Sequence, residues 1–473
     1  MNQVSFESFR SLLAEGLHKG GRIAGLWAIP IDPEKYTLYG LTLLPEEKTY
    51  HLFSTSTGKT YPSLTIAYPA VHWFERDLAE RYGLIPEGHP FLKPIRFYKG
   101  DVGITDFFRL KGEEVHEVAV GPVHAGIIEP GHFRFQCVGE TVYHLEISLG
   151  YQHRGIERAL EGGPNPRTIH YMETLAGDTT LGHTWAYAQV VESLMEVQPS
   201  PYAELIRAVA LELERLANHI GDIGALAGDV GFLPTQSYCG RIRGDVLNLT
   251  ALICGNRFGR GLIRPGGVRF SLEPDRLKIL REKLKQVEKD TRVAVELLFE
   301  TPSARVRLEE TGKVPTEIAR EIGLVGVAAR ASGLAVDTRK DLPWGIYKNR
   351  NIPLVVHSAG DCYARASVRW QEIQASLKFL LEITQEFSDG ALKLESLPTL
   401  KPDSYAVGIT EGWRGEIVHV AKTDDKGKLA WYRVFDPSFH NWFGLAYAMQ
   451  SGQISDFPLC NKSFNLSYCG HDL

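Results

Sequence analysis

Cysteine is scarce in this sequence: six residues in 473, at 137, 239, 254, 362, 460 and 469. They are too thinly spread for the disulfide framework of a small secreted domain, and a reducing, cytoplasmic compartment is the simpler setting. No run of about eighteen apolar residues occurs, so no transmembrane helix is expected and any membrane role has to pass through partners. The opening MNQVSFESFRSLLAEGLHKGG is interrupted by Glu7, Arg10 and Glu15 and lacks the unbroken apolar core of a signal peptide. Excess positive charge is missing too. Fifty-two basic against 57 acidic residues leave a net charge of −5, which argues against a nucleic-acid groove. The glycines of EGGPNP and RPGGVR lack the strand–glycine–helix context of a dinucleotide site, so no direct NAD binding is expected.

What is present is the mixture of a soluble globular protein, 44% hydrophobic and 23% charged, at a length that suggests two or more domains. Residues 1–98 read as a small α/β unit. An amphipathic helix leads into strand-like runs at RIAGLWAIP, YTLYGLTLL, TYHLFSTS and SLTIAYP, and a helix in VHWFERDLAERYG ends at Gly83. Residues 99–120 are largely polar and read as a linker. From 121 the character changes. HFRFQCVGETVYHLEIS predicts a hairpin, with strands at about 132–138 and 141–148. Helices then dominate, over 178–197, 201–229, 238–258, 274–299 and 362–387, and the longest repeats Leu205, Val209, Leu213, Leu216, Ile220 and Ile223 at helical spacing. Three strands at SYAVGIT, GEIVHVAK and LAWYRVF return after Pro402. The expected class is α+β: a small α/β domain (1–98), a linker (99–120) and a mainly helical bundle with small sheets (121–473).

Four stretches carry a family resemblance. HWFERDLAERYGLIPEGHP resembles the signature of the C subunit of bacterial respiratory complex I. GPVHAGIIEPGHFRFQCVGETVYHLEISLGYQHRGIE resembles the opening of the large subunit of group 4, membrane-bound [NiFe] hydrogenases, relatives of the complex I D subunit. ELERLANHIGDIGALAGDVGF and GLIRPGGVR are similar to both, and DPSFHNW with DFPLCNKSFNLSY resembles the hydrogenase C-terminus. A C-type domain fused to a D-type one is also the layout of the formate hydrogenlyase large subunit.

Such a hydrogenase holds nickel and iron through two Cys-x-x-Cys pairs, because soft thiolates suit these metals. The matching positions here are Ala176, Thr179, Ser467 and Gly470, so no metal ligand set is expected. Cys460, Cys469 and His471 crowd the tail, but their spacing is a poor match to a zinc knuckle, and buried apolar cysteines are the preferred reading. The resemblance implies a cavity beside an iron–sulfur partner. His132, with His124 as an outside candidate, matches the family's histidine, Asp229 its aspartate, and Gly177 stands where its tyrosine belongs. Asp178 and His183 would lie about 140° apart on a helix and could line the same pocket as a proton relay. The competing reading makes Asp178 an N-cap and His183 a core histidine. Arg365 and Arg369 are one turn apart and are candidates for holding an anion, and a buried tail would bring His471 and Asp472 beside Asp178 and His183.

The resemblance thus implies a metal-free large subunit of a complex I-like oxidoreductase. It would couple electron transfer from a neighbouring iron–sulfur subunit, with a quinone-like molecule as a possible acceptor, to ion translocation. The alternatives are a non-catalytic coupling or scaffold subunit and a residual hydrogenase. No cofactor is expected on this chain. The implied partners are an iron–sulfur subunit of the complex I B type, a ferredoxin-like iron–sulfur subunit, and membrane subunits of the H and antiporter-like types. The implied location is the cytoplasmic face of the membrane, held there by those subunits.

Overall fold

A computed structural model describes residues 3–123, 129–387 and 390–473. The N-terminal unit is a four-stranded sheet. Its strands are β1 (Gln3–Val4), β2 (Arg22–Asp32), β3 (Lys35–Leu44) and β4 (Thr49–Thr57), in the order β1-β4-β3-β2. The two hairpins pair antiparallel, β1 lies parallel to β4, and α1 (Phe6–His18) packs on the sheet. Ser5 caps α1 through its side chain, and Phe9 and Leu13 are fully buried beneath it. Helix α2 (His72–Tyr82) ends at Gly83, whose φ of 70° suits a residue without a Cβ.

SLTIAYP departs from expectation: it is a loop. The buried Glu75 carboxylate accepts the backbone N–H groups of Leu64 (2.9 Å) and Thr65 (3.1 Å) and the hydroxyls of Ser63 and Thr65, which would otherwise be free for a sheet. A side chain from the next helix has taken the place of a neighbouring strand.

Residues 99–114 form neither helix nor strand, and Val115–Val120 pair antiparallel with the hairpin His132–Val138 and Thr141–Ser148. Beyond it lies the bundle. Its central helix, Pro201–Asp229, starts on the side-chain cap of Ser200 and buries Val209, Leu213, Leu216, Ile220 and Ile223 completely. Leu233–Cys254, Pro274–Glu300 and Cys362–Ile383 surround it and share one apolar core. Each fully buried Leu or Ile contributes about 2 kcal/mol of transfer energy. The three-stranded antiparallel sheet Tyr405–Glu411, Glu416–Thr423 and Leu429–Phe435 packs against the helix Thr180–Met195.

The N-terminal sheet lies against that C-terminal sheet. Trp27 meets Trp431 (5.8 Å) and Phe435 (5.7 Å), and Gly25 must lack a side chain because a Cβ there would come 2.5 Å from the Phe435 ring. One apolar cluster runs from Phe9 to Tyr468 across both units. Arg22 bonds Glu416 (2.5 Å) and Asp341 (2.8 Å) across the same boundary, and Arg81 bonds Glu157.

Two outcomes are expected. Limited proteolysis cuts within 99–114, and the two fragments co-elute in size exclusion because the shared cluster holds them together. Arg22→Met strands two buried carboxylates and lowers unfolding free energy by roughly 3–5 kcal/mol, read by urea denaturation.

Candidate functional site

The site is assembled where the N-terminus of the helix Thr180–Met195, the turn between strands Tyr405–Glu411 and Glu416–Thr423, and the C-terminal tail meet. Asp178 is 35% exposed, and both its carboxylate oxygens accept from Arg414, at 2.6 and 2.8 Å. Its backbone carbonyl accepts from Asn218 and from the Trp413 indole. Burial raises the Asp178 carboxyl, but the charge and hydrogen bonds of Arg414 outweigh it and hold the group below its ordinary value. Asp178 therefore does not cap the helix. That task falls to Glu214 on the central helix, which accepts the amides of Leu181 (2.7 Å) and Gly182 (3.1 Å). Sequence inspection missed Glu214, since a cap borrowed from another helix leaves no local pattern.

His183 is fully buried within a hydrogen-bonded chain of four side chains. Its Nε2 lies 3.0 Å from the Asp436 carboxylate, its Nδ1 lies 3.0 Å from Nε2 of His419, and Nδ1 of His419 lies 2.8 Å from the Tyr432 hydroxyl. Burial, with the neighbouring His183, keeps His419 well below the ordinary imidazole range, and burial holds the Tyr432 phenol protonated. Burial works against the Asp436 carboxylate, but the His183 hydrogen bond and charge, with Arg414, keep it ionised. With His183 neutral, Tyr432 donates to His419, His419 to His183, and His183 to the ionised Asp436. A second proton on His183 would reverse every bond up to the phenol. His419 was legible only as a polar residue on the inward face of an alternating strand, and Asp436 as the Asp-Pro start of the helix Pro437–Ala448.

Asp178 and His183 do not touch. Arg414 carries influence between them, because its charge acts on both Asp178 and Asp436.

The other expected residues sit elsewhere. His132 is half-buried at the start of its strand, edge-on to Phe107 (5.4 Å), with no bond to Asp178 or His183. His124 falls outside the described residues. Asp229 is exposed at the end of the central helix, and the carboxylate that faces the tail is Asp222, two turns earlier. Asp222 accepts from Asn465 (2.6 Å) and from Arg369 (2.8 Å), so Arg369 already holds a carboxylate of its own chain. Arg365 is committed to the carbonyls of Gly360 and Gly312 and the hydroxyl of Ser463.

The tail is buried, but its network is separate from the relay. His471 bonds Asp472 at 2.9 Å and stacks on Phe439, and its Nε2 has no partner among the described residues. Asp472 accepts the amides of Gly150 (2.9 Å) and Gln152 (2.8 Å), and Arg96 of the N-terminal unit bonds the His471 carbonyl. The expected coupling of His471 to Asp178 gives way to these backbone donors.

The four positions matched to the thiolate pairs do not fit a nickel–iron centre. Ala176 offers no donor atom. Thr179 Oγ1 is bonded by Trp413 (3.1 Å) and Arg414 (3.2 Å), Ser467 caps its own helix at Gly470, and a Cβ on Gly470 would press within 2.8 Å of Asp436. Nor do the tail cysteines meet: Cys460 lies by Cys362 and Arg365, and Cys469 by Ser467 and Glu129. Among the described residues no three His, Cys, Asp or Glu side chains are grouped to hold a metal ion. Beside Asp178 a cleft of about 10 Å³, lined by Glu214, Asn218, Arg243 and Arg257, has room for about one water.

Comparison with known proteins follows the same two-part layout. Residues 34–103 match the 30 Kd subunit of respiratory-chain NADH dehydrogenase, and residues 229–407 match its 49 Kd subunit. Formate hydrogenlyase subunit 5 of Escherichia coli is 31% identical over 435 residues, covering 86% of this chain and 76% of that protein. The fused C/D protein of the NADH-quinone oxidoreductase of Bacteroides thetaiotaomicron is 26% identical over 419 residues, covering 78% and 79%. The alpha component of the membrane-bound hydrogenase of Pyrococcus furiosus is 27% identical over 372 residues, covering 74% and 85%. No helix among the described residues is long and apolar enough to cross a membrane. The chain belongs to the family of fused 30 Kd- and 49 Kd-type subunits that complex I-like oxidoreductases share with group 4 hydrogenases.

Proposed function

We propose that this chain is the metal-free large subunit of a complex I-like, membrane-associated oxidoreductase, and that its own chemistry is proton handling. The observation that carries this reading is the buried Asp436–His183–His419–Tyr432 chain, set beside an Arg414–Asp178 ion pair where the hydrogenase relatives place thiolates. Electrons come from an iron–sulfur subunit of the complex I B type docked over this face, which a ferredoxin-like subunit feeds. Reduction of an acceptor nearby changes the charge that Arg414 and Asp178 meet. The relay answers by taking up or releasing a proton, and the buried ion pairs pass the change to membrane subunits that move ions. The chain works at the cytoplasmic face of the membrane, held there by those subunits. A quinone is the acceptor class this reading favours. The small cleft at Asp178 favours the second reading, a coupling role with no substrate of its own.

Elemental analysis of the purified complex is expected to find no stoichiometric nickel, and the complex to take up no hydrogen. Stoichiometric nickel or hydrogen uptake overturns the proposal. Oxidation of a reduced donor that depends on added quinone supports the first reading, and its absence in an intact complex supports the second.

Glu214 gives a test by pH. Burial pushes its carboxyl up to about 8, although the amides of Leu181 and Gly182 pull the other way. The same group titrates at ~4.3 in the unfolded chain. Its contribution to stability is fully present below about pH 4 and is lost as the pH rises through about 8. The Glu214→Gln variant stays neutral, so its unfolding free energy changes less across that window, by roughly 5 kcal/mol, in paired denaturation curves.

A further inference from the structure

The motif HWFERDLAERYGLIPEGHP plays no part in the proton relay, yet it builds the wall of a separate cavity. This cavity of about 590 Å³ lies between the N-terminal unit and the body, among His72, Trp73, Arg76, Phe91, His144 and Phe443. Its volume is that of a site for one small organic molecule. Five of the side chains lining it are aromatic rings. His72 stacks on His89 at 5.3 Å and lies 4.9 Å from Phe443.

The polar groups in this wall are incompletely satisfied. Nδ1 of His72, Nε1 of Trp73 and Nε2 of His144 are buried and have no hydrogen-bond partner among the described residues. Arg76 is 5% exposed and donates to the carbonyls of Lys93 (2.7 Å) and Pro94 (2.9 Å), but it makes no ion pair among the described residues. Its guanidinium lies 4.7 Å from the Trp73 ring centre and 5.4 Å from that of Phe91. Glu146 also lines the cavity, and it and the other carboxylates nearby are committed: Glu146 to Lys93 and the Phe108 amide, Glu75 to the 63–65 loop, and Glu80 to the amides of Ile95 and Arg96. Burial pushes the Arg76 guanidinium down to about 10, against the opposing charges of Glu146 and Glu80, and leaves it charged at neutral pH.

A buried cation with no direct ion pair among the described residues, beside aromatic faces and unpaired ring nitrogens, can receive a complementary charge. We propose that this cavity binds a planar aromatic anion of the arylcarboxylate class, with its ring among Phe91, Phe443 and His72 and its negative charge toward Arg76. His72, Trp73 and Arg76 are each more than nine-tenths buried, and His144 is partly buried.

The test is calorimetric titration of the full-length chain, and of the complex it assembles into, with 2-naphthoate and its neutral analogue 2-naphthamide. One naphthoate per chain is expected, bound about tenfold or more tightly than the amide. Arg76→Gln should weaken naphthoate about tenfold and leave the amide nearly unchanged, while Ala446→Trp fills the cavity and abolishes both. If Arg76→Gln fails to fold, Ala446→Trp and the acid-to-amide ratio decide the matter. Absence of saturable binding, or binding that survives Ala446→Trp, overturns the proposal. So does binding to the free chain that is lost in the complex, which would mark the cavity as a docking surface for a neighbouring protein. None of these outcomes bears on the proton relay, which lies at a different site.

Discussion

The six-residue turn from Glu411 to Glu416 is the constraint on which most of this molecule hangs. Glu411 accepts from Arg330 and Thr338, and the carbonyls of Glu411 and Gly412 accept from Arg215. Trp413 and Arg414 hold Asp178 and Thr179, and Glu416 receives Arg22 from the N-terminal unit. The turn can come this close only because Gly326 has no side chain: a Cβ there would sit 1.9 Å from the Arg414 carbonyl, and its φ of 62° also suits glycine. Five segments distant in sequence are thereby fixed to one short stretch of backbone.

Charge is buried around this turn on a scale that simple stability would not select. Glu212, Asp337, Glu372 and Glu411 face Arg215, Arg330 and Arg339, with His219 bonded to Glu372 at 2.8 Å. Desolvating such ions costs several kcal/mol each and is offset only when every one is matched, so the arrangement is stiff and intolerant of single losses. A stiff ionic core suits a protein that transmits a change in charge. The thiolate positions fit this picture. Thr179 and Ser467 have roughly the size of cysteine, and their hydroxyls serve the same hydrogen-bonded framework rather than a metal.

The elements of this fold were legible wherever burial follows a single period. The central helix lies at Pro201–Asp229 and the first hairpin at His132–Val138 and Thr141–Ser148, as the apolar spacing indicated. SLTIAYP failed because a carboxylate eleven residues downstream captured its backbone. The site was half legible. Asp178 and His183 were singled out by their position beside the altered metal motif, but their partners Arg414, His419 and Asp436 come from more than 230 residues away. Asp222 was hidden by Asp229 on the same helix. Which of two carboxylates turns inward depends on Asn465 and Arg369, and helix periodicity carries no information about either.

The stretch 99–114, with no helix or strand, has a consequence for assembly. Docking two free chains would make the Trp27–Trp431 and Arg22–Glu416 contacts depend on the concentration of each. A short covalent connection replaces that dependence with an effective concentration on the order of millimolar. The contact surface can then tolerate buried charges whose desolvation a dilute encounter would not offset. Stoichiometry is fixed at one to one, and the connecting residues add their own anchors, Phe107 on the His132 ring and the Phe108 amide on Glu146.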